Sequence, residues 1–317
     1  MVPFRLLTYN VKFLPDIARW PQKFWEEMLP DPQRAKRIAA ALRRKKRSWD
    51  VVCLQEVFDE DQRGVLLAQL RAKRARLAPG FRAFHAKADD GDFLHEDSGL
   101  FVASRHRIGL RRFHEYAATA GADAWADKGV LALRLDTERR LGCKLVVFTT
   151  HMQADAHHGR TRSKQAHELE RFMRKTLSRL KEPERHAVLL CGDFNIIGEA
   201  VDVDGTLICP TQEYVGLLSL FADARDLYRE AHPRAVGATW NPRENDRMIR
   251  SRASRHERLD YLFAIDSLPN IDEAKPRLRF RRLEALDVSL QRFPNPSTKF
   301  LSDHYGVGAD LRLHPES

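Results

Sequence analysis

The sequence predicts a layered α/β fold. Short apolar runs with the density of buried strands recur along the chain, amphipathic helical stretches fall between several of them, and most of the runs end in or soon meet a polar group. Strands that alternate with helices stack in layers, and strand ends that share one sheet edge can gather their polar groups into a site.

In order, the runs are FRLLTYNV from Phe4 to Val11, with Asn10 at its end, and VVCLQEV from Val51 to Val57, with Glu56. LVVFTTHM from Leu145 to Met152 carries His151, and AVLLCGDFN from Ala187 to Asn195 carries Asp193 and Asn195. RLDYLFA from Arg258 to Ala264 carries Asp260, while GLFVASR from Gly99 and VLALRL from Val130 read as strands without a polar end. Helical spacing appears over Pro32 to Arg47, with Ile38, Ala41 and Leu42, and over Lys164 to Leu180, with Leu169, Phe172, Met173, Leu177 and Leu180.

The run into Asp193 and Asn195 raises a chemical question, because a buried carboxylate is costly unless it is paired or binds a cation. If the segment stays extended, residues i and i+2 point the same way and both reach one ligand or phosphoryl group. Carboxylates and carboxamides, with Glu56 and Asn10 of the same kind, are the oxygen donors that Mg²⁺ prefers. In LSDHYGV, Asp303 and His304 are adjacent, and at an irregular strand entry both can reach the site. His304 has the ordinary pKa of a general base near neutrality if a carboxylate holds its other ring nitrogen, and Asp260 is a candidate for that partner. Asp260 paired instead with an arginine such as Arg258 is the structural alternative.

At 317 residues and 43% apolar content the chain is long enough for a large core, burying roughly 75% of its unfolded surface. No linker, repeat or low-complexity tract divides residues 1–317, so one catalytic domain is expected. Lys and Arg number 54 against 44 Asp and Glu, a net charge of +10 that attracts phosphate-bearing partners without choosing among them. The basic runs Arg43 to Arg47 and Arg71 to Arg76 read as solvated helix faces or as a contact patch. Four cysteines without metal-ligand spacing exclude a disulfide framework and a zinc site, and point to a reducing compartment. With no signal-peptide pattern and no apolar stretch of membrane-spanning length, a cytoplasmic location is expected; secretion with a removed leader stays open.

The motifs TYNV, LQEV, THMQAD, GDFN, RLDYLF and SDHYGV, in this order, resemble the endonuclease/exonuclease/phosphatase superfamily, over about residues 4 to 313. QEVFDE, GADAWADKGV, THMQAD, ATWNP and SDHYGV are most similar to its neutral sphingomyelinase branch. The resemblance implies a DNase I-like four-layer α/β sandwich, two central β-sheets flanked by helices, and hydrolysis of a phosphodiester by water with Mg²⁺, or Mn²⁺ or another divalent cation. Carried over by position, it implies that Glu56 binds the metal with Asn10 beside it and Asp303 near. His304 becomes the general base oriented by Asp260, Asp193 and Asn195 position the water and phosphate, and His151 stabilises the phosphoryl oxygens or assists the leaving group. Lys128 contacts the phosphate, and Trp240 and Asn241 of ATWNP are substrate contacts or core plus turn. His157 and His158 sit in a polar loop and read as solvated.

Secreted bacterial sphingomyelinases carry an aromatic β-hairpin just before the Asp-His pair, whereas LDVSLQRFPNPSTKFLSDH keeps only Phe293 and Phe300. Aromatic residues instead cluster from Phe13 to Met28, in FLPDIARWPQKFWEEMLP, where Trp20, Phe24 and Trp25 can touch lipid, stack on a base or form a small satellite core. Phospholipid substrates with peripheral membrane contact, nucleic acid and phosphomonoesters such as inositol phosphates all stay open, as does a non-catalytic binding module.

Overall fold

The computed structural model describes residues 3–14, 33–44, 48–72, 80–81, 83–86, 97–202, 206–221, 223–245, 256–296 and 299–315. The aromatic stretch from Trp20 to Met28 lies outside the described residues, as do the basic residues 45–47 and 73–76. The strands are β1 Phe4–Phe13, β2 Val51–Val57, β3 Ala83–Ala86, β4 Phe101–Ser104, β5 Ile108–Glu115, β6 Gly129–Leu135, β7 Lys144–His151 and β8 His186–Asp193. They continue with β9 Glu199–Val201, β10 Leu207–Pro210, β11 Ala224–Asp226, β12 Asp260–Ile265, β13 Ser267–Leu268, β14 Leu278–Arg279, β15 Leu283–Gln291 and β16 Gly306–Leu313. The helices are α1 Arg34–Leu42, α2 Glu60–Arg71, α3 Glu138–Leu141, α4 Gly159–Leu177, α5 Gln212–Leu220 and α6 Leu227–Ala231.

Two six-stranded sheets carry the fold, ordered β15-β16-β1-β2-β4-β3 and β11-β12-β8-β7-β6-β5. Each is mixed: β1 runs parallel to β2 and β7 parallel to β8, and the other pairs are antiparallel. The strand alternation explains the layering. Leu6 of β1, Cys53 of β2, Val147 of β7 and Leu189 of β8 meet between the two sheets. Their neighbours turn outward: Leu7, Tyr9 and Val11 meet Ile38, Leu42, Leu66 and Leu70 of α1 and α2. Val146, Phe148, Val188 and Leu190 meet Leu169, Met173, Leu177 and Leu217 of α4 and α5. Helix, sheet, sheet, helix is the expected four-layer sandwich. A strand with both faces buried must be apolar at successive positions, which is why the runs read so clearly. Each fully buried Leu or Phe contributes roughly 1.5 to 3 kcal/mol.

The two helices depart from their sequence limits. α4 starts at Gly159, a turn before Lys164, and α1 ends at Leu42. Arg43 is no solvated charge: it is buried, and its guanidinium donates to the Gln69 carbonyl at 2.7 Å, tying α1 to α2. Gly192 answers to a close approach. It sits at φ +141°, and a Cβ there would lie 2.0 Å from the Thr150 carbonyl oxygen on the neighbouring strand.

Arg258, just before β12, is also buried and pairs with Glu199 and Asp226 rather than with Asp260. Arg258→Ala leaves Asp226 without its cation and Glu199 with Arg229 alone, so the expected loss is about 3 to 5 kcal/mol. Urea unfolding at pH 7 reads it directly; a loss under about 1 kcal/mol, the range of exposed pairs, contradicts this assignment.

Candidate active site

Register brings the polar strand ends together. His151, the last residue of β7, pairs with Asp193, the last of β8. Asp193 in turn pairs with Asp260, the first residue of β12, because β12 runs antiparallel to β8. Three side chains thus form a row across three strands. The other sheet faces this row with Asn10, near the end of β1, and Glu56 on β2. Just below, Gln55 donates through Nε2 to Thr8 and Thr149 hydroxyls, both at 3.1 Å, fastening the two sheets in a region without water access.

Asn10 bridges the sheets at the site itself. Its Nδ2 donates to Glu56 Oε1 at 2.7 Å and to Asp193 Oδ2 at 2.9 Å, and its Oδ1 accepts from the Lys12 amide at 3.0 Å. Asn10 thus orients two carboxylates across the sheets, and its amide oxygen keeps a second lone pair beside them. His304 Nδ1 lies 2.8 Å from Asp260 Oδ2, and its Nε2 lies 3.8 Å from Asp193 Oδ2. His151 Nε2 lies 3.2 Å from Lys128 Nζ and 3.8 Å from both Glu56 and Asp193. A lysine ammonium only donates, so Nε2 of His151 is the acceptor nitrogen in that contact.

The loop after β8 differs from the extended geometry that the spacing suggests. β8 stops at Asp193, and Asn195 is left-handed at φ +51°; its amide donates back to Asp193 Oδ1 at 2.9 Å. The carboxamide of Asn195 donates to the Met152 carbonyl, which also accepts from Lys128. A turn, not the pleat, keeps Asn195 at the edge. Lys12 and Glu56 share its left-handed backbone, at φ +49° and +56°. Non-glycine residues held there carry strain that surrounding contacts must offset, and such strain concentrates at functional sites.

Asp303 and His304 do reach the site from an irregular entry to β16. Asp303 accepts from Lys12 Nζ at 2.7 Å and from the Ser302 hydroxyl at 3.1 Å. Lys12, which the sequence reading passed over, is thus the cation set against Asp303, and Asp123 is the carboxylate set against Lys128, at 2.7 Å. Arg34 buttresses this end of β1 through the Val11 and Lys12 carbonyls. Trp240 pairs its backbone with both His304 and Glu257. Asn241 instead closes a turn, its Oδ1 accepting from the amides of Arg243 and Glu244. His157 and His158 lie apart, in a largely exposed trio with Asp155.

The electrostatics are those of a site short of positive charge. Burial first, then Asp303, raises the pKa of Glu56; burial first, then Asp260, pushes Asp193 up to about 7. Burial opposes charge on His304, but Asp260 and Asp193 outweigh it and raise that imidazole to about 10. His151 is the opposite case: burial, Lys128 and His304 hold it well below its ordinary value, hence neutral. For Asp303 the charges of Lys12 and His304 overcome burial and lower its pKa. Glu56, His151 and Asp193 offer ligand atoms all within 4.8 Å of one another. Two carboxylates and a neutral imidazole suit a divalent cation, and their raised carboxylate pKa values are what such a charge would relieve.

The sequence profile of the Endonuclease/Exonuclease/phosphatase family matches residues 7–304. The chain belongs to that family. Within it, sphingomyelin phosphodiesterase 5 of Danio rerio is 33% identical over 155 residues, covering 47% of this chain and 28% of that protein. Sphingomyelinase C of Leptospira interrogans is 28% identical over 210 residues, 61% of this chain and 34% of that protein. The matches thus span about a third or less of these two relatives. Among solved structures, a beta toxin variant from Staphylococcus aureus with bound magnesium ions has a TM-score of 0.66 at 18% identity, over 97% of this chain and 99% of that one. TDP2 of D. rerio, complexed with a single-strand DNA product, has a TM-score of 0.62 at 17% identity, over 98% of each chain. Both share the endonuclease/exonuclease/phosphatase fold.

Proposed function

We propose that the chain hydrolyses phosphodiesters with a divalent cation, of which Mg²⁺ fits best, and that its reaction is head-group cleavage of a phospholipid in the manner of a sphingomyelinase. The contact that carries this reading is the Asp260–His304–Asp193 alignment opposite Glu56. Asp260 fixes the Nδ1–H tautomer of His304, so that Nε2 is the nitrogen available to take a proton from water. Asp193, close to Nε2 and braced by Asn10, positions that water, and the Asn195 turn supports it. On the other flank Lys128 stands 3.2 Å from His151 Nε2, and its ammonium suits a phosphoryl oxygen. Glu56, Asp193 and His151 would hold the cation, which supplies neutralisation of phosphoryl charge and a more acidic water. Asp303, already matched by Lys12, keeps that lysine at the rim, where its ammonium suits a phosphate oxygen.

Lipid is favoured because both relatives named above are sphingomyelinases and the ATWNP and WADKGV stretches resemble that branch. Phe293 and Phe300, the two aromatics left in the stretch before the Asp-His pair, are buried against Tyr9 and Tyr305. Any membrane contact must therefore use other residues. Among the described residues no helix is long and apolar enough to cross a membrane. A second reading, nucleic acid, rests on the net charge of +10.

Product analysis separates them. Sphingomyelin and lysophospholipid vesicles, supercoiled plasmid and inositol phosphates are offered with Mg²⁺ or with EDTA. Metal-dependent release of phosphocholine is the expected result. Plasmid nicking without head-group release assigns the site to nucleic acid, and inorganic phosphate as the first product makes it a phosphomonoesterase.

A further inference from the structure

The sheet edge opposite the catalytic groups holds a cleft of about 640 Å³. It lies at the start of β7 and β8, lined by Lys144 and His186, and at the end of β6, lined by Arg134. From His186 to Asp193 is a rise of seven residues along β8, so the two sites stand roughly 23 Å apart at about 3.3 Å per residue. Six cations line the cleft: Arg134, Lys144, Arg179, Lys181, Arg185 and Arg281. Among the described residues that line it there are two carboxylates, Glu138 at 3.5 Å from Lys144 and Glu182 at 3.2 Å from Arg185, both pairs solvent-exposed and weak. Arg134, Arg179 and Lys181 form no ion pair with a described residue.

Like charges that outnumber their counter-charges cost folding energy, and here two buried polar atoms also lack partners among the described residues. His186 is only 3% exposed, its Nδ1 donates to the Glu182 carbonyl at 3.0 Å, and its Nε2 meets nothing. Arg134 Nε, on the same wall, is also buried without a partner. Buried polar groups are normally satisfied, so two unpartnered nitrogens on a cationic wall suit a polar guest, water or anion.

We propose that this cleft binds a phosphate-class oxyanion, held by Arg134, Arg179 and Lys181 and reached by His186. Tetrahedral oxyanions offer several acceptors and, when singly protonated, one donor. That set matches guanidinium and ammonium donors together with the acceptor nitrogen of His186. The anion is either a free phosphate or the phosphate of a lipid head group; in the second case this edge anchors on an anionic bilayer with the catalytic edge facing away, a state separate from the one that cleaves lipid. The site is independent of the catalytic chemistry, since neither its residues nor its charge depends on a metal.

Calorimetric titration of inorganic phosphate into the full chain in EDTA tests it, because the metal-free catalytic carboxylates repel phosphate while the cleft does not. Saturable binding is expected, with displacement of the His186 ring resonances in NMR spectra. Arg179→Gln/Lys181→Gln, two exposed positions where folding is not at stake, should weaken it about tenfold per contact removed. Mg²⁺-dependent hydrolysis of a soluble phosphodiester should be unchanged by the same pair. In parallel, vesicles of phosphatidylcholine with phosphatidic acid are compared with phosphatidylcholine alone for cosedimentation. Binding of either anion that depends on the two cations supports the site, vesicles alone assigning it to lipid and inorganic phosphate alone to a soluble ligand. Absence of both, or retention of both by the double variant, overturns it.

Discussion

His304→Ala will lower kcat for metal-dependent hydrolysis by roughly 10² to 10⁴, the range a positioned general base provides. His304 Nδ1 is fixed by Asp260 at 2.8 Å, so the ring has one nitrogen left, and that nitrogen faces Asp193. Asp260→Asn keeps the shape but offers an amide, so it should reduce kcat by less than loss of the ring and leave KM nearly unchanged. The charges also set a pH signature. Without metal the His304 pKa lies at about 10, above its ordinary 6.5. A histidine with a raised folded-state pKa stabilises the fold fully below pH 6.5 and loses that contribution as pH climbs through 10. NMR titration in EDTA should therefore find His304 still cationic at pH 8, about two units below that value, and Asp260→Asn should bring its midpoint down. A His304→Ala protein that is folded and fully active removes His304 from the reaction.

The sequence disclosed those parts of the fold where burial acts on both faces of a strand. β2 and β7 are apolar at successive positions, and their limits agree with the runs to within a residue. β15 was not legible, because its outer positions are exposed and the chain there, LEALDVSLQ, mixes charge with apolar residues. The short strands β9 to β11 fail for a related reason: three or four residues carry too little pattern.

The site divides along a similar line. Asn10, Glu56, His151, Asp193 and Asp260 were visible as polar interruptions of apolar runs, where a group must answer for its burial. Lys12, near the end of β1, and Asp123, in a short 3₁₀ helix, were not, since a partly exposed charge needs no such explanation; only the tertiary contacts with Asp303 and Lys128 give them a role. The direction of Asn10 was likewise beyond the sequence. Its place beside Glu56 could be read, but which of its amide atoms met the carboxylates depended on the pairing of two sheets. Asp260 illustrates how topology decides. It starts its strand where the others end theirs, and only an antiparallel β12 returns it to the common edge.

Glu56→Gln will abolish tight divalent-cation binding and, with it, activity. Losing a group that merely orients a ligand typically costs metal affinity about 10- to 100-fold, so losing a ligand carboxylate should cost at least roughly 100-fold. The raised pKa values add a test that does not depend on turnover. Asp193 titrates at about 7 in the metal-free protein and Glu56 is also raised, whereas a cation binds their ionised forms. Metal binding near neutrality must therefore expel protons. Calorimetry in two buffers of different ionisation enthalpy should detect that release, and apparent Mg²⁺ affinity should fall as pH drops below 7, by up to about tenfold per unit for each proton displaced. In Asp193→Asn the release should shrink, because that carboxyl no longer titrates, while binding weakens. Affinity independent of pH between 5 and 8, or unchanged in Glu56→Gln, would place the cation elsewhere in the molecule and leave these buried carboxylates without the charge their burial calls for.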